Sequence, residues 1–169
     1  MGIRVFLGIV AGVVLTILGG LMQHYLHLEK EKQRRLYDQT ALLAEDMNKR
    51  HYLGSNVIFN STTDMFPDRW ELYICEGVTP WNIKRNQYIE FMEANFSTLK
   101  TDFEVIDSCF MTLHPVLNRI RRYRQPEGNK SGKHQSELSQ TEQEALTQSR
   151  ALQDKINSFQ KQLFRQVQN

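Results

Sequence analysis

A chain of 169 residues is of single-domain size and excludes a multidomain enzyme. Its 21 Lys+Arg against 19 Asp+Glu leave a net charge of +2, which excludes a bulk polyelectrolyte of either sign. The 40% hydrophobic content is unevenly spread: Val5 to Met22 carries no charge, and the remainder is lean for a globular core.

Residues 1–22 predict a transmembrane anchor. At ~1.5 Å per residue the apolar run reaches across a hydrocarbon core of roughly 30 Å. It exceeds the usual ~7–15 residues of a signal-peptide core, and no Ala-x-Ala-like cleavage site follows Gly20. The start Met-Gly-Ile-Arg-Val-Phe lacks the Ser or Thr at position six that myristoylation needs. Gly8, Gly12, Thr16 and Gly20 recur every four residues. That is the small-xxx-small spacing by which membrane helices associate, and it predicts contact with a second copy or another membrane protein. Gly and Thr are also simply common in such helices. Lys30, Lys32, Arg34 and Arg35 outweigh Arg4 and the terminal amine, so the positive-inside count leans toward a cytoplasmic carboxy-terminal part. The expected localisation is single-pass membrane.

A helix over 23–50 follows. Glu31 and Arg35 form an i,i+4 pair in the favourable order, and Leu36, Thr40, Leu43 and Met47 make an apolar stripe. His24, His27 and Glu31 share a face and could hold a metal across a dimer. Three ligands without a visible supporting shell favour solvated side chains, so no metal or cofactor is expected. Gly54-Ser55-Asn56 and the run Asn60 to Asp64 predict a loop over 52–66. Pro67 to Gly77 predicts a short helix over 67–76, although Trp70, Leu72 and Ile74 also alternate as in a strand.

Thr79-Pro80 reads as an N-cap followed by Pro at the first helical position. The helix it opens, over 80–124, carries the strongest pattern in the chain. Ile89, Phe96, Phe103, Phe110 and Leu117 are seven apart, as are Met92, Leu99, Ile106, Leu113 and Ile120. Phe at successive a positions suits a bundle of three or four helices rather than a tight two-stranded coil. Pro115 predicts a kink near 111–115. Residues 125–135 read as a flexible linker, Ser139 with Glu142 as a capping box, and 136–168 as a final helix. Its apolar face runs through Ala145, Leu152, Ile156, Phe159, Leu163 and Val167. The fold class is therefore all-α: a transmembrane helix continuing into an elongated antiparallel bundle of about three long helices and one short one.

One patch stands out chemically. Arg119, Arg121, Arg122 and Arg124 are placed to meet anionic lipid, at about 1 kcal/mol each near headgroups, or another anionic partner. An ordinary helix carboxy-terminus whose cations complement the dipole accounts for them equally well. One basic patch with one aromatic is too little for a nucleic-acid surface. Trp70, Trp81 and Tyr88 read as an apolar cap at the opposite end, where Asp64, Asp68, Glu71 and Glu76 gather around Arg69. Cys75 and Cys109 have no redox or zinc spacing; they pair only if their compartment is oxidising.

There is no Gly-rich phosphate loop, nucleophile elbow, HExxH or paired ExxH, so neither an enzyme nor a small-molecule substrate is expected. The expected function is an interaction, scaffold or regulatory subunit of a membrane complex, with lipid and protein as partners. The second class is a membrane-perturbing effector or lysis component that oligomerises through its span.

Overall fold

A computed structural model describes residues 2–124 and 132–168, with the side chains of 3–11 and 132–134 left out. The described residues are almost wholly helical and contain no strand. They fall into two compact units, Met1–Gln39 and Thr40–Asn169. Helix α1 (Gly2–Phe59) supplies the described part of the first unit and the first helix of the second.

In the first unit, the pair between Arg35 Nη2 and Glu31 Oε1 forms as the spacing predicts, at 2.5 Å. The localisation needs correction. Among the described residues no helix is long and apolar enough to cross a membrane, which overturns the single-pass placement. The described apolar side chains of this stretch cover residues 12–22, a rise of about 16 Å against the ~30 Å of a hydrocarbon core.

The second unit is a bundle of four long helices. They are the end of α1, α3 (Thr79–Asn95), α4 (Lys100–Arg124) and α5 (Gly132–Gln168), with a short α2 (Phe66–Leu72). Successive long helices run in opposite directions, and the cross-contacts show it. Asp46 meets Lys84 while Lys49 meets Glu76. Trp81 packs against Phe110 while Lys100 returns to Glu93. Arg119 pairs with Glu144 while Thr98 meets Gln166. His51 reaches Ser149 while Ala44 reaches Gln160.

Several expected boundaries move, each for a local reason. The helix continues through 52–59 despite Gly54-Ser55, because Leu53, Val57 and Ile58 extend its buried stripe. Gly54 earns its place by closeness: a Cβ there would stand 3.4 Å from Tyr73 Cε2 and 3.6 Å from Leu117 Cδ1. Residues 66–95 are helical without a gap, so the strand alternative for 67–77 falls and Thr79 is no N-cap. A π-helical turn, Tyr73–Val78, joins α2 to α3, with the Thr79 N–H donating to Ile74 O. The wider turn gives room for the ring of Pro80, which would otherwise press on the carbonyl four residues back.

The single helix predicted over 80–124 is instead a hairpin. Phe96 leaves the helix at φ −140°, ψ 49°, and a 3-10 turn, Ser97–Leu99, reverses the chain into α4. The heptad nevertheless predicts burial well. All of its members from Met92 to Ile120 are buried, and Ile89 is half-buried. Both arms turn the same phase toward one core, so the pattern runs through the turn undisturbed. Pro115 does not break α4, which runs on to Arg124. Most of the linker expected at 125–135 lies outside the described residues, but α5 begins at Gly132. Ser139 and Glu142 are therefore mid-helix rather than a capping box. The α5 face is as expected, extended by Leu138, Thr141 and Ser149.

A groove between α2 and α4 above a buried arginine

The hairpin carries the Arg-rich end of α4 back to α2, which the sequence had placed at the opposite end. Phe66, Trp70 and Ile74, spaced by four, form one ridge along α2 and the π turn. His114, Asn118 and Arg121, at i, i+4 and i+7, form the facing ridge of α4, with Arg124 one turn on. Between these ridges lies a groove of about 710 Å³, with Glu71 on the α2 side.

The groove wall is braced by aromatic and cationic contacts. The Arg121 guanidinium carbon lies 5.2 Å from the centre of the Trp70 ring. Trp70 stacks on His114 at 6.1 Å, and Tyr73 Oη lies 3.3 Å from His114 Nδ1. Burial, helped by the nearby Arg50 charge, holds the His114 imidazole below its usual value, so its neutral form is favoured.

Behind this wall is the most unusual group in the bundle. Arg50 is 1% exposed, with its guanidinium carbon 4.4 Å above the Phe110 ring and 5.4 Å from that of Trp81. Its Nε and Nη1 find no hydrogen-bond acceptor. Desolvation lowers its pKa, opposed by the Tyr73 hydroxyl and the Asp107 carboxylate. Burial pushes the Tyr73 phenol up to about 12, tempered by Arg50. Asp107 is buried too, but fully engaged: Trp81 Nε1 donates to Oδ1 at 2.9 Å and Arg85 Nε to Oδ2 at 2.6 Å. A separate buried contact joins His51 Nε2 to the Ser149 carbonyl at 2.9 Å and to Ser149 Oγ at 3.0 Å. This contact fastens α1 to α5.

The four candidate arginines do not form one patch. Arg121 and Arg124 line the groove, Arg119 Nη2 is tied to Glu144 Oε2 at 2.6 Å, and Arg122 is exposed on another face. Of the small-residue stripe, Gly8 lies among residues whose side chains are not described. At Gly12 and Gly20 an added Cβ would meet open space, and Thr16 Oγ1 donates to its own helix at Gly12 O. Trp70, Trp81 and Tyr88 do not make one cap. Trp81 and Tyr88 pack in the core with tilted rings 5.6 Å apart, whereas Trp70 belongs to the groove. The acidic cluster also divides, Glu71 to the groove and Glu76 to Lys49. Cys75 and Cys109 are free thiols, Cys75 exposed at the groove.

Sequence reasoning missed Arg50, Asp107 and His114. A signal existed for Arg50: it continues the stripe of Leu43 and Met47 by the next helical step, so a charge stood in the core phase. His114 carried none, because its site depends on α2.

The fold and site together define a class, an all-helical bundle with an apolar, arginine-edged groove. No family model matches the chain, and neither the curated proteins nor the solved structures give a match.

Proposed function

We propose that the chain is a helical interaction module, a scaffold or regulatory subunit that holds a segment of a partner protein between α2 and α4. The observation that carries this reading is the groove itself. Its volume, about 710 Å³, is that of a binding site, and its floor is apolar and aromatic. Trp70, itself largely buried, forms part of that floor, and Arg121 packs over its ring. A binding role also suits the buried polar groups. Asp107 and His51 are occupied by internal partners rather than presented to a substrate.

Cys75 provides the readout, because its thiol is exposed at the groove. A synthetic amphipathic helix with a Leu/Ala stripe and a Gln-only polar face should slow alkylation of Cys75 in the full chain. A Cys75 rate that stays constant up to saturating peptide counts against a docking groove.

A further inference from the structure

The two walls of the groove carry opposite charge. Arg121 and Arg124 stand on α4, and Glu71 stands on α2. Arg119, their neighbour, is neutralised by Glu144. Among the described residues no ion pair occupies Arg121 or Arg124. Arg124 Nε is shielded from solvent yet has no acceptor, so a donor is left desolvated at the groove. Arg121 is already immobilised on Trp70, which removes part of the entropy a ligand would otherwise have to overcome. His114 adds no cation near neutral pH, since burial and Arg50 both favour its uncharged form. The α4 edge therefore offers two guanidinium groups lacking carboxylate partners, beside an apolar floor.

We propose that the groove selects a partner helix whose apolar stripe is flanked on one edge by Asp or Glu, that edge lying along Arg121 and Arg124. This rests on the docking reading above and adds to it the partner's charge and orientation. The carboxylates accept from the Arg121 and Arg124 guanidinium groups, while the stripe covers half-buried Ile74 and the remaining open edge of the Phe66 and Trp70 floor. The opposite edge of the partner faces Glu71 and tolerates Lys or Arg.

The test uses the full chain and three dye-labelled helical peptides sharing one Leu/Ala stripe, with Glu, Gln or Lys along one edge. The Glu peptide should bind about fivefold tighter than the Gln peptide, as expected for two partly exposed pairs, and the Lys peptide weakest. Added salt should shrink the difference. The double variant R121Q/R124Q should lose the preference and bind the Glu and Gln peptides alike. I74E should lose all three, and circular dichroism melts establish that both variants are folded. Equal binding of Glu and Gln peptides by the unmodified chain overturns the charge proposal and leaves the docking reading standing. No binding by any peptide overturns both. A Glu preference that persists in R121Q/R124Q places the carboxylates elsewhere and also overturns the proposal.

Discussion

The guanidinium of Arg50 lies 4.4 Å above the ring of Phe110, inside the bundle, with two of its nitrogens lacking any acceptor. The ring face supplies attraction, but it replaces only part of the water that the cation lost. The stem fills core volume as a hydrophobic side chain would. Replacing a buried ionic group by an apolar one of like volume is often neutral or stabilising, whereas truncation leaves a void. Arg50→Met should therefore keep or raise stability by about 1 kcal/mol, and Arg50→Ala should lower it by about 2–5 kcal/mol. Urea unfolding of the two variants decides it. A Met variant as unstable as the Ala variant would mean that the charge itself holds the core.

Asp107 behaves in the opposite way, because both of its oxygens are engaged. Asp107→Asn keeps the shape but sets an amide where a carboxylate accepted from Arg85 or Trp81. A loss of about 2–4 kcal/mol is expected, in the range for breaking a buried charged network. Trp81 fluorescence should shift as well, since its indole N–H would lose a charged acceptor. An unchanged denaturation midpoint would show that the network contributes nothing net.

Acid should destabilise the bundle through its histidines. Burial lowers the pKa of both His51 and His114. Below the ordinary value of about 6.5 the unfolded chain takes up protons that the folded chain refuses, so stability falls as pH falls. The loss continues down to the depressed folded pKa values. His51→Gln should flatten that slope in pH-dependent urea unfolding. A slope unaltered by replacing either histidine would assign it to other groups.

At alkaline pH the sign reverses. The Tyr73 phenol is pushed up to about 12, while an unfolded tyrosine ionises near 10. Between those values the unfolded state loses a proton that the folded state keeps, so stability falls as pH rises. Tyr73→Phe removes this contribution and should lessen the decline above about pH 10. An identical alkaline profile for the variant would argue that Tyr73 is solvated.

Pro115 sits on the exposed face of α4 and lacks the N–H that would bond one turn back. Pro115→Ala restores that bond and should add about 1–3 kcal/mol, seen as a higher denaturant midpoint. A neutral result would mean that α4 is already bent to suit the ring.

Much of this architecture was readable because helical periodicity is local. The stripes on α1, α4 and α5 together with the heptad name about half of the buried side chains, and nine of the ten heptad members are buried. That pattern records which face of a helix is covered. It does not record what covers it, and for the same reason the turn at Phe96 left no mark on the heptad. The boundaries drawn from Gly54-Ser55, Thr79-Pro80 and Ser139-Glu142 failed because packing outweighed local turn and cap preferences.

The sequence by itself determined the helical class, the apolar phases and the absence of familiar catalytic motifs. Only the tertiary structure decided that α3 and α4 form a hairpin, that Arg121 meets Trp70, and that Arg50 lies between Trp81 and Phe110. Residue spacing fixes direction around one helix axis, whereas these contacts depend on where the chain reverses and which helices then become neighbours. The groove arises from that reversal, since neither of its walls is a site until the other stands opposite.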